Sequence, residues 1–98
     1  MNFPIVLQAA ARSEFDEAFD YYEARRSGLG EEFAAAVQEV FDRLSVQLLV
    51  HQKVLADVRK RRVKRFPYSI LYRAHTDRVE VIAVFHSSRD PVIWQARI

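Results

Sequence analysis

The sequence predicts an α+β fold, β-α-α-β-β-β with a short C-terminal tail, in which an antiparallel sheet packs against a helical hairpin. Three observations predict it. The first half holds two stretches with apolar residues at helical spacing, joined by Ser27-Gly28-Leu29-Gly30. From about residue 50 the apolar period shortens towards strict alternation. The 98 residues, 50% hydrophobic and 29% charged, suit one core and contain no repeat, linker or low-complexity run. Residues 1–98 are therefore read as a single domain.

The elements follow in order. Phe3 to Gln8 reads as a short strand with Phe3, Ile5 and Leu7 on one face, and Pro4 suits a strand start or a sheet edge. From Ala9 to about Arg26, the residues Ala11, Phe15, Ala18, Phe19 and Tyr22 form a helical stripe. Glu14, Asp16, Glu17, Asp20 and Glu23 are assigned to the opposite, solvent face. Gly28 is placed to end this helix in a left-handed conformation. A second helix starts near Gly30 with the stripe Phe33, Val37, Val40, Phe41, Leu44 and Leu48, and Glu31 and Glu32 suit its positive end. The short connection makes the helices antiparallel.

Val58 to Arg65 is a charged strand, Phe66-Pro67 a bend, and Tyr68 to His75 an alternating strand. Thr76-Asp77 turns into Val79–His86, whose faces (Val79, Val81, Ala83 and Phe85 against Ile82 and Val84) are both apolar, as an interior strand requires. Ser87 to Pro91 is a loop, and Val92 to Ile98 a tail that is either strand or a single helical turn. The sheet face away from the helices is expected to be partly open.

The charge is polarised. Residues 1–50 carry four arginines and nine acids, whereas residues 51–98 carry eleven lysines and arginines and four acids. Six cations fill seven positions in Arg59-Lys60-Arg61-Arg62-Val63-Lys64-Arg65. Such a run draws a polyanion, either nucleic acid or an acidic protein segment, or else it is a solvated strand face. No apolar run is long enough to span a membrane, and the start of the chain shows no secretory pattern. The absence of cysteine removes disulfides, thiol catalysis and the usual zinc fingers, and fits a reducing compartment. No phosphate-cradling glycine loop, metal-ligand cluster or nucleophile elbow is present, so no cofactor or metal is expected.

The chemistry-bearing residues gather towards strand ends: Lys64, Arg65, Tyr68, Tyr72, Arg73, His86 and Arg89. Arginine binds two phosphate oxygens at once, and histidine exchanges protons near neutral pH. Metal-free RNA cleavage needs a base, an acid and a cation for the developing charge. Each residue also has a structural reading. Arg89-Asp90-Pro91 suits a salt-bridged turn, Tyr68 and Tyr72 suit a core, Trp94 suits a packing anchor for the tail, and His51 and His75 suit the surface.

The segments Val63 to Tyr72, Val81 to His86 and Arg89-Asp90-Pro91, with Trp94 to Arg97, resemble the RelE/ParE superfamily of toxins of bacterial type II toxin–antitoxin modules, often called plasmid stabilisation proteins. Ala10, Tyr21-Tyr22, Gly28-Leu29-Gly30 and Phe33 agree in the N-terminal half. The resemblance implies a cytoplasmic toxin that arrests growth, neutralised by a cognate antitoxin that wraps a helical segment over it. It allows two targets: DNA gyrase, as for ParE-like members, or mRNA on the ribosome, cut as by RelE-like members.

The C-terminal tyrosine common in RelE-like members falls at Trp94, which lacks tyrosine's proton chemistry. The ending His86-x-x-Arg89-x-Pro91 is ParE-like. The favoured reading is thus a gyrase-directed toxin, with a ribosome-dependent endonuclease as the alternative and a non-toxic interaction module as the third. For a nuclease, the resemblance implies Arg65, Arg73, His86 and Arg89 as catalytic residues. For target or antitoxin binding, it points to Arg59, Arg61, Arg62, Lys64, Tyr68, Tyr72, Trp94 and Arg97.

Overall fold

The computed structural model describes residues 2–46 and 53–98; Leu48, His51 and most of the connection from Ser45 to His51 lie outside them. The order is β1 (Ile5–Leu7), α1 (Ala9–Arg25), α2 (Leu29–Leu44), β2 (Lys53–Leu55), β3 (Val58–Arg62), β4 (Tyr68–Ala74), β5 (Val79–His86) and α3 (Val92–Gln95). The strands form one sheet in the order β1-β5-β4-β3-β2. The antiparallel meander β3-β4-β5 is as expected. β1 joins as a parallel edge against β5, and the three-residue β2 adds a hairpin on the far edge. The tail is a single helical turn.

The helical hairpin covers one face of the sheet. Its core gathers Ala11, Ala18, Phe33, Val37, Val40 and Leu44 from the helices against Val63, Ile70, Tyr72, Val79, Val81 and Val84. Ala11 and Ala18 are small enough to bring the α1 backbone close to the sheet. Phe15, Tyr22, Phe33, Phe66 and Tyr68 stack and tilt against one another, with ring centres 5.0–5.7 Å apart along the chain of contacts. The other face carries a smaller core of Val58, Leu71, Ile82, Ala83, Phe85 and Trp94, with α3 lying over it. β5 is therefore apolar on both faces, as its sequence requires.

Five expectations about the fold are corrected, the last of them at Glu23. Glu14 is not on the solvent face: it is 9% exposed, held against β5. The faces of β5 do not alternate throughout. Its register with β4 shifts at Ile82, because Leu71 pairs with Ala83 but Tyr72 with Val81. This bulge leaves Val79, Val81 and Val84 in the helix-side core, and Ile82, Ala83 and Phe85 in the other. Gly28 is left-handed (φ 90°), but as the residue preceding α2 and not as the end cap of α1. The charged strand stops at Arg62, and Arg65 adopts a left-handed conformation (φ 69°) on the way into the Phe66-Pro67 bend.

Glu23 also leaves the solvent face to fix the helical hairpin. Its carboxylate accepts the Gly28 and Gly30 amides at 2.9 and 3.0 Å, satisfying donors that open α2. Gly30 must be glycine for a second reason: a Cβ there would lie 2.8 Å from the Phe19 carbonyl oxygen.

Candidate functional site

β1 ends at Leu7, opposite Val81, so among the described residues the edge of β5 beyond that point has no strand beside it. Side chains complete it. Glu14 Oε1 accepts the Val84 amide at 3.1 Å. Arg97 Nη1 donates to the Ile82 carbonyl at 3.1 Å. The two side chains are joined by a forked ion pair, Nη1 to Oε1 and Nη2 to Oε2, both 2.9 Å. Hydrogen bonding to Glu14 pushes the Arg97 guanidinium further up from its already high range. Arg89 Nη1 reaches the same carboxylate at 3.2 Å while its guanidinium carbon lies 5.2 Å from the Phe85 ring centre.

His86 closes the strand end. It pairs in register with Tyr68, the two rings meeting edge-on with centres 5.0 Å apart. Its Nδ1 accepts the Ser88 amide at 3.0 Å, with Ser88 Oγ at 2.7 Å. The neutral ring therefore carries its proton on Nε2. Burial raises the Tyr68 hydroxyl above its ordinary range. Tyr68, His86, Arg89 and Glu14 line a cleft of about 370 Å³ with Glu17 and Tyr21 of α1.

The basic run is split by the pleat. Successive strand residues face opposite sides, so Arg59 and Arg61 lie on the helix side, where both act on buried Tyr72. Lys60 and Arg62 lie on the other face, on the parity of Val58. Two grooves result. One, of about 290 Å³, lies on the helix-free face: Leu71 and Phe85 line it, α3 contributes Trp94, and Lys60, Arg62 and Arg89 bring positive charge beside His86. The other, of about 490 Å³, runs between α2 (Ala36, Glu39, Val40, Arg43) and the segment Arg61 to Arg65, which includes Lys64.

The expected catalytic quartet is not one constellation. His86 and Arg89 are neighbours, but Arg65 belongs to the α2 groove. Arg73 pairs with Glu80 at the opposite end of the sheet, five residues along β4 from Tyr68, or about 17 Å of strand. There its Nε binds Asp57 at 2.8 Å, and Glu80 also receives His75 Nε2 at 2.8 Å and Gln8 Nε2 at 2.7 Å. The Gln8 and His75 hydrogen bonds hold the Glu80 carboxyl below its ordinary range. Asp57, the acid nearest the basic run in sequence, is thus bonded to Arg73. Tyr72 is fully buried and Trp94 is 6% exposed, so Tyr72 presents no surface to a partner and Trp94 serves as a wall. His75 is half-buried in the Glu80 network and not simply a surface residue.

Over residues 5–91 the chain matches the family described as ParE toxin of type II toxin-antitoxin system, parDE. It belongs to that family. The matched span runs from β1 to Pro91, and α3 with Trp94 and Arg97 lies beyond it. Among solved structures, a chain described as the chromosomal ParDE TA system from P. aeruginosa shares the fold with a TM-score of 0.75, over 86% of this chain and 95% of that one. Their sequences are 14% identical, so the likeness is one of fold. No curated protein matches the sequence closely. Among the described residues, no helix is long and apolar enough to cross a membrane.

Within this ParE-family fold, sequence reasoning passed over two residues that the geometry brings forward. Glu14 falls three residues after Ala11 and four before Ala18, so helical spacing already put an acid on the buried stripe. Lys60 shares the helix-free groove with Arg62, which alternation along β3 would have paired with it.

Proposed function

We propose that this ParE-family toxin arrests growth by binding and inhibiting DNA gyrase, and that a cognate antitoxin neutralises it. The observation that carries the reading is the division of the basic residues. Arg73 is engaged by Asp57 and Glu80 far from His86 and Arg89, and an indole walls the groove where RelE-like members have a tyrosine. What remains is a cationic groove with an apolar floor, suited to holding a partner more than to moving protons. The α2 groove, with Ala36 and Val40 beside Arg61, Lys64 and Arg65, suits an amphipathic acidic segment of the antitoxin.

A supercoiling assay tests this. Purified toxin should block gyrase in a dose-dependent way, and stoichiometric antitoxin should restore it; full supercoiling at saturating toxin would contradict the reading. One observation favours the alternative of ribosome-dependent mRNA cleavage: Tyr68, His86 and Arg89 do share one cleft. Cleavage of ribosome-bound messages by the purified chain, abolished by H86A, would establish it instead.

A further inference from the structure

We infer that Glu14 is a positioning residue, which stands in for the strand that β5 lacks and thereby sets the pose of Arg89 and of the C-terminal arm that walls the helix-free groove. The inference rests on the reading of that groove as the target-binding surface.

The argument starts from backbone accounting. Buried strand edges leave amides and carbonyls that must find partners. Where β1 stops, the Val84 amide goes to Glu14 and the Ile82 carbonyl to Arg97. The carboxylate is nine-tenths buried, and the Arg97 side chain is 17% exposed. A carboxylate so placed needs cations. Two converge on it, Arg97 from the arm and Arg89 from the loop after β5.

One α1 carboxylate thus fixes both segments that build the groove on the β5 side. Between Arg89 and Arg97, the arm is otherwise attached mainly through Trp94 on the smaller core. Asp90 Oδ1 accepts the Val92 amide at 3.0 Å and starts α3, but it holds the turn to itself and not to the sheet. Arg89 keeps a half-exposed guanidinium, tethered at one nitrogen to Glu14 and resting on Phe85. That leaves the rest of its donor fork for a partner, in one orientation. Without the tether the side chain samples many rotamers, and binding must then order it.

Three full-length variants test this: Glu14→Gln, which keeps an acceptor for Val84 but loses the charge, Arg97→Ala, and Arg97→Lys. Hydrogen exchange at the Val84 and Val92–Ala96 amides reads the pose, and growth arrest on titrated induction reads the function. We expect arm amides to exchange at least about tenfold faster in Glu14→Gln and Arg97→Ala, with the α2 and β4 amides unchanged. Growth arrest should need about tenfold more protein, with partial recovery in Arg97→Lys. Wild-type exchange in the arm of Arg97→Ala would overturn the positioning role. So would a loosened arm with undiminished growth arrest. Should Glu14→Gln fail to fold, Arg97→Ala decides alone, since it leaves Glu14 bonded to Val84 and Arg89. Growth arrest does not depend on which target is hit, so a failed supercoiling assay would refute the gyrase reading and leave this result standing.

Discussion

The two ends of the β4–β5 ladder use the same chemistry to opposite effect. At the Arg73 end, Asp57 and Glu80 take up the arginine, His75 and Gln8 complete the carboxylate, and the cluster closes on itself. At the His86 end, a single buried carboxylate faces two arginines, and Lys60, Arg62 and His86 stand in the adjoining groove. The first end is a charge-balanced clasp across neighbouring strands. The second keeps surplus positive charge above an apolar floor. An arginine on a strand end is thus no functional signal by itself; the count of acids within reach decides what it does.

Substitutions sharpen that contrast, beginning with the largest effect. The double variant R62A/R89A should weaken target binding about a hundredfold, if each cation contributes about 1.4 kcal/mol, while melting close to wild type; growth arrest on titrated induction checks this. E14A should be the most destabilising change at either end. It strands Arg97 and the Val84 amide and should cost about 3 kcal/mol, or roughly 15 °C in melting temperature for a domain this size. R73A should lower the melting temperature far less than E14A, because its partner Asp57 is mostly exposed and solvent screens the pair. It should leave growth arrest intact, whereas loss of arrest in R73A would break the division between the two ends.

The smallest effect is one of pH. The Glu80 carboxyl is held low by Gln8 and His75, with Arg73 nearby, so its contribution is present at neutral pH and is lost as pH falls through its folded value. Acid titration of stability should therefore show a shallower loss below about pH 4.3 in E80Q than in wild type.

The architecture was legible because helical stripes and strand alternation report directly on burial. Ala11, Phe33, Val37, Ile70 and Val81 all sit where their periods assign them. The site was legible only in part. Alternation cannot announce a bulge, so the step at Ile82, which puts Val84 and not Ala83 on the helix side, was hidden. The basic run reads as one patch only while strand alternation is not applied to it; the pleat sends Lys60 and Arg62 one way and Arg59 and Arg61 the other. Arg73 looked like part of the site because Asp57 and Glu80, which neutralise it, are sixteen and seven positions away in sequence. Glu14 was the readable omission. An acid at helical spacing between two alanines of the stripe was assigned by residue type to solvent, and its partner Arg97, 83 residues on, was invisible.

The most direct test of the account is controlled induction of the protein in a bacterial host, with the DNA-damage response and message integrity followed in parallel. A gyrase-directed, binding-only toxin predicts arrest with an SOS response and intact messages, lost in R62A/R89A and kept in R73A. Arrest with messages cut at ribosomes and no SOS response would contradict it, and would make the Tyr68–His86–Arg89 cleft a catalytic centre.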